Sequence, residues 1–337
     1  MSKYTLQHGF SIIEFMIAIF LGMILIATAG SIYLSNKSTF QAQEGLARLQ
    51  ENARFATYFL NRELRMAGYQ GCLNDSMINV NNVIKNPSTT LNFDPPMFGY
   101  NGTGSSFSPA LPSHLTGKVI DNNDVIEIRM ASRTNVRLKK DMNRSNNPVL
   151  VYDRLGIAAG DVVVISNCKS SDMFIAGGNT NATAITHTVS NNTTNHLSNI
   201  YDVDSHVMRF IYYTFYIKDT GRTNSVNQPV YALVRQDVDG NEVELVEGIE
   251  RMKISYGIDT DNNKTANQYQ NATEVNSANN WHKVISIKIN LLFATAENIA
   301  DNPQAYEFND TTYTATDRKL RREWQTIINL RNRGLRS

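Results

Sequence analysis

The residues with the clearest capacity for chemistry lie at the amino terminus. Gly9-Phe10 reads as a processing junction, and Glu14 is the fifth residue beyond it. Between Phe15 and Asn36 no residue is charged. A carboxylate at the head of so apolar a run costs several kcal/mol unless it is paired or stays near the interface. An ionisable group in that place is therefore expected to serve a function. An ordinary secretory signal has its positive region, apolar region and small-residue cleavage site in that order. Here the junction precedes the apolar run, so the segment reads neither as that signal nor as a plain anchor.

Other candidates are fewer. Cys72 and Cys168 form no C-x-x-C, which excludes thioredoxin-like and zinc-ribbon readings. A lone pair in an exported chain is expected to close a disulfide. Asp259, Asp261 and Asn263 begin like a calcium loop, but Lys264 and Gln270 stand where such a loop needs its Gly and its bidentate Glu. Asp/Asn clusters are also ordinary turn chemistry. A turn is the expectation there and calcium the alternative. The histidines are scattered, and no G-x-S-x-G, H-E-x-x-H, G-x-x-x-x-G-K or Gly-rich dinucleotide turn occurs. No catalytic residues and no cofactor are expected.

The elements that must position these residues begin with a helix. Phe15–Asn36 is long enough to cross a hydrocarbon core of about 30 Å. Beyond it Ala42, Leu46, Leu49, Ala53, Ala56, Leu60, Leu64 and Ala67 recur at steps of three and four, which is one helical face. Gly68 then offers a C′ signal. One helix from Phe10 to Ala67 is expected, about 85 Å long, with Gly22, Gly30 and Gly45 as weak points. After Cys72 the pattern turns to strands and long loops. Asp124–Met130, Asp161–Asn167, His206–Ile217, Val230–Gln236, Ile249–Gly257 and Trp281–Phe293 read as strands, several with period two. Arg318–Arg331 fits helix and strand alike, and strand is preferred. A long helix followed by antiparallel-looking strands is α+β.

The bulk properties agree. With 42% hydrophobic and 19% charged residues in 337, the chain can bury a real core. A net charge of +1 carries no electrostatic footprint for nucleic acid. The basic carboxy terminus (Arg318, Lys319, Arg321, Arg322, Arg331, Arg333, Arg336) is read as solvated strand faces.

The short polar leader, Gly9-Phe10, Glu14 and the apolar helix together resemble the type IV pilin leader. That resemblance implies cleavage after Gly9 by a prepilin peptidase, methylation of the new terminal Phe10, and pairing of Glu14 with the Phe10 amine of a neighbouring subunit in a fibre. Such a buried pair sets register more than it adds stability. Later segments resemble the PilW family: Gly160–Cys168 followed by Asp172-Met173-Phe174, Val246–Met252 running into Tyr256–Asp259, Trp281 with Val284–Ile287 and Leu291-Leu292, and Leu320-Arg321-Arg322 ahead of Asn329–Arg333. The Asn-rich stretches Asn74–Asn123 and Asn179–Asn199 match no family pattern.

The resemblance implies a pilin-like fold, with a leader at 1–9, a membrane or fibre-core helix at 10–36, an amphipathic half at 37–68 and a periplasmic β-rich domain at 69–337. It also implies a minor pilin that primes assembly and forms part of a tip complex. Its partners would be other minor pilins, the major pilin, the prepilin peptidase and a PilY-type adhesin. The location would be the inner membrane, single-pass, and then the pilus. A minor pseudopilin of type II secretion and a tip module for adhesion or DNA are the alternative readings.

Overall fold

The computed structural model describes residues 9, 11–71, 80–179 and 183–333. Helix α1 runs over Ile12–Leu64, 53 residues, or about 80 Å. The sequence sets both ends. Ser11 caps the first turn, its side chain accepting from the Ile13 N–H. After the C-cap Arg65, Gly68 adopts φ +77°, which a side chain would resist, and its N–H bonds the carbonyl of Arg129 at 2.8 Å. The helix thus ends slightly short of the expected Ala67, because the body captures the backbone there.

The strands, in chain order, are β1 Asn81–Asn82, β2 Met97–Thr103, β3 Ser106–Ser108, β4 Val125–Arg137, β5 Val149–Leu150, β6 Val162–Ser166, β7 Ser171–Ile175, β8 Ala184–Ile185 and β9 His206–Thr223. They continue with β10 Pro229–Asp237, β11 Glu242–Glu247, β12 Ile249–Ile258, β13 Gln268–Gln270, β14 Val284–Ala294, β15 Ala305–Phe308, β16 Thr311–Thr314 and β17 Arg321–Asn329. A short α2, Ala272–Ser277, follows β13. The larger sheet has the order β1-β7-β6-β9-β4-β2-β3, with β10 on β9 and β11 on β10. The smaller sheet has the order β13-β12-β14-β17. Pairing is antiparallel except between β1 and β7. The architecture is α+β.

One core joins the helix to both sheets. Leu49, Ala53, Ala56, Leu60 and Leu64 pack with Ile126, Ile128, Phe215 and Leu233 of the larger sheet and with Met252, Ile287, Ile289 and Ile328 of the smaller. A fully buried leucine contributes about 2 kcal/mol, so about four contiguous turns of contact fix the helix firmly. The small residues Ala53 and Ala56, at the centre of the stripe, let the strands approach. A second core lies under β6 and β7, where Val163, Ile165 and Phe174 meet Tyr201 and Val207.

The expected strands all exist, with shifted ends. Trp281–Lys283 forms a 3-10 turn ahead of β14 rather than its start. Arg318–Arg331 contains a strand, but only from Arg321 to Asn329. Gly45 is a point of close approach: a Cβ there would run into Ile299 Cδ1 and meet Thr295 Cγ2 at 3.2 Å. The basic carboxy terminus is not uniformly solvated. Arg321 is largely buried between Glu250 and Asp317, and Arg333 donates to the Trp281 carbonyl at 2.6 Å.

Candidate functional site

Among the described residues the first three-fifths of α1 are largely uncovered. Ile12, Ile13, Phe15, Met16, Phe20, Met23, Leu25, Ile26, Ile32, Tyr33 and Leu34 are all exposed, whereas burial begins in earnest at Leu49. An apolar rod that the folded chain leaves bare must be covered by a bilayer or by other chains. The mean hydropathy of its best 18-residue window, 2.5, suits either.

Glu14 occupies a defined place at the head of that rod. Its Oε2 accepts the Ser11 N–H at 2.9 Å while Ser11 Oγ accepts the Ile13 N–H at 3.3 Å. Ser11 and Glu14 thereby close a capping box. The carboxylate also sits where the positive end of the helix dipole favours it. Ser11 as the partner of Glu14 was legible in the sequence as Ser followed three residues later by Glu, a signal the leader pattern overshadowed. Gly9 is described and open, with nothing within 4 Å of a built Cβ. Phe10 lies outside the described residues, so the junction has one placed side.

The remaining candidates stand apart from this end. Cys168 is in the turn between β6 and β7, and Cys72 lies outside the described residues. The chain leading to Cys72 is nevertheless placed: a Cβ on Gly71 would lie 3.6 Å from Ser166 Cβ, at the end of β6. Asp259, Asp261 and Asn263 form a self-satisfied turn. Asp259 accepts the N–H groups of Asn263 and Lys264 at 3.2 and 2.9 Å, and Asp261 accepts Asn263 Nδ2 at 2.9 Å. Burial pushes the Asp259 carboxyl up, but these donors outweigh it and hold it below its ordinary range. Among the described residues no three His, Cys, Asp or Glu side chains group as metal ligands.

A buried polar cluster holds the end of α1 to the body. Glu127 and Arg129 on β4 pair at 2.9 Å, almost fully buried. Tyr100 donates to Glu127 at 3.0 Å, and Arg129 donates to the Pro95 carbonyl at 3.0 Å. Burial, and then the Glu127 charge, drive the Tyr100 phenol well above its usual value. The Arg129 carbonyl is the same one that receives Gly68.

Two family models match. Residues 5–30 match the prokaryotic N-terminal methylation motif, and residues 214–332 match the Type IV Pilus-assembly protein W family, PilW. The chain matches a PilW-family, type IV pilin-like precursor. The motif covers Gly9, Phe10, Glu14 and much of the bare rod. The PilW match begins inside β9 and runs through β17, and so includes the strands β11, β14 and β17 that α1 packs against. The Asn-rich stretches fall in the unmatched segment between the two. No curated protein and no solved structure matches the chain.

Proposed function

We propose that this chain is a minor pilin that primes type IV pilus assembly and sits in a tip complex. The observation that carries the reading is the helix with two fates. One half is bare and apolar, and the other is locked into a body by Leu49–Leu64. Before cleavage the bare half anchors the chain in the inner membrane, with the body in the periplasm. After cleavage behind Gly9 it packs with the helices of other pilins. The role is structural, and the domain bounds follow: a leader at 1–9, a fibre-core half at 10–36, a docked half at 37–68 and a body beyond.

The placement of Gly71 beside Ser166 supports a Cys72–Cys168 disulfide, which would tie the exit of α1 to the β6–β7 turn. The same spatial neighbourhood favours a pilin-like fold in which the sheets are stapled to the helix. Mass spectrometry of the chain from sheared pili tests the reading. The expected terminus is methylated Phe10, and deletion of the gene is expected to remove surface pili. An intact Met1 terminus in the fibre, or unchanged piliation, refutes it.

A further inference from the structure

An open cleft of about 1120 Å³ runs along α1 where its docked half ends. Its chemistry is one-sided. Arg54 and Arg65 come from α1, Arg133 from β4 and Arg331 from the residues just after β17. Tyr58 and Trp324 present exposed rings in the same wall. Arg54, Tyr58 and Arg65 recur at helical spacing and share one stripe of α1. None of the described lining residues is a carboxylate.

Among the described residues the four guanidiniums are also without a carboxylate partner. Several cations elsewhere are paired with carboxylates: Arg222 with Glu244 and Glu247, Lys218 with Glu242, and Arg321 with Glu250 and Asp317. Arg62, a fifth arginine in the lining, is paired with Glu63 at 2.6 Å. Arg54, Arg65, Arg133 and Arg331 have no carboxylate in reach among the described residues, and Arg133 bonds only the Arg62 carbonyl. On a chain of net charge +1, this is a local excess of positive charge rather than a general one. The strand bordering the cleft is also open. Among the described strands β17 pairs with β14 alone and forms the edge of its sheet. An unpaired edge accepts an extended backbone, and arginine forks accept carboxylates two oxygens at a time.

We propose that this cleft docks an acidic, extended segment of a neighbouring subunit's polypeptide. The proposal deepens the assembly reading and rests on it for the identity of the neighbour. From Arg54 to Arg65 the helix rises about 16 Å, the length of about five extended residues. The recognised feature is therefore a short run with carboxylates on alternate residues, its backbone along β17 and its side chains among the guanidiniums. The edge strand and the absence of any wider positive field favour a polypeptide over nucleic acid.

The test uses the full chain in detergent micelles and a fluorescein-labelled hexapeptide of alternating Glu and Val. The anisotropy titration includes the Gln–Val counterpart and a labelled decathymidylate. The acidic peptide is expected to bind, the neutral one not. The triple variant Arg54→Glu, Arg65→Glu, Arg331→Glu is expected to weaken binding by about tenfold or more, with an unchanged Tm because these side chains are exposed. Absent binding, or binding that the triple variant leaves intact, overturns the proposal. So does tight decathymidylate binding without peptide binding. Piliation after gene deletion is scored separately. Lost pili with arginine-independent binding defeats the cleft and leaves the assembly role standing. Arginine-dependent binding with normal pili upholds the cleft and defeats that role.

Discussion

Replacing Glu127 by Ala is expected to be among the most damaging single changes in the body, because the damage comes from the partner it strands. The Arg129 side chain is 6% exposed and Glu127 is 3% exposed, so neither has water to fall back on. Without the carboxylate, the Arg129 side chain keeps one acceptor among the described residues, the Pro95 backbone carbonyl, and the Tyr100 hydroxyl loses its acceptor as well. Removing one member of a buried pair costs about 3–5 kcal/mol. For a body of this size each kcal/mol lowers Tm by about 2–4 °C, so the drop is about 6–20 °C. The assay is thermal unfolding of the full chain in detergent, followed by near-ultraviolet circular dichroism. A second variant separates stranding from simple loss of contact. Glu127→Ala combined with Arg129→Met removes the buried charge and should recover much of the loss, since apolar replacements of buried pairs are often neutral. A wild-type Tm for Glu127→Ala, or a double variant no more stable than the single one, refutes the reasoning.

Three further outcomes are expected. Glu242 accepts from Lys218, Tyr216 and Lys118; burial pushes its carboxyl up, but these donors win and lower it from 4.5 to about 2. Because the folded value is the lower one, its stabilisation is whole above about pH 4.5 and is lost as pH falls towards 2. Glu242→Gln should flatten the Tm profile in that window, and an unaltered acid limb would show the carboxylate to be idle. Non-reducing peptide mapping is expected to find Cys72 linked to Cys168. Closing a loop of about a hundred residues is worth about 4–5 kcal/mol in chain entropy, so Cys168→Ser should lower Tm, and two free thiols in periplasmic protein would end the idea. Glu14→Ala should leave the Tm of the body unchanged, because among the described residues Glu14 bonds only Ser11, at the exposed head of the helix. It should reduce co-purification with neighbouring pilins and surface piliation; wild-type levels of both would show that Glu14 sets no register.

The sequence is most legible where one face is wet and the other dry. The α1 stripe Leu49 to Leu64 follows directly from that asymmetry, whereas β14 shows an alternation of Ile287, Ile289 and Leu291 with polar Ser286, Lys288 and Asn290 although both its faces are largely buried. Both-sided burial hides it. Val125–Met130 alternates Glu127 and Arg129 with apolar residues, the pattern of a half-exposed strand, yet both faces are covered and the two charges satisfy each other. β2 is obscured by glycines that tight contacts require. A Cβ on Gly99 would run into the Tyr256 hydroxyl, and one on Gly102 into the Asn123 backbone. β11 is obscured by glutamates that suit an edge strand. At the amino terminus, the order of Gly9, Phe10 and Glu14 carries the family signal by itself. The arginine cleft could not be read, since Arg54, Arg133 and Arg331 meet only when three elements are packed.

The bare and docked halves of α1 belong to one unbroken helix, and that continuity decides how force enters the molecule. A pull on the apolar half travels through a covalent rod into the turns from Leu49 to Leu64, which must slide past the side chains of two sheets at once. Sliding loads those contacts together, whereas prying would break them in succession. Behind them stands Gly68, whose N–H is tied to the Arg129 carbonyl on β4, a strand flanked by β9 and β2. The body is therefore gripped along the line of tension, as a rope is held by a cleat and not by a knot at its tip.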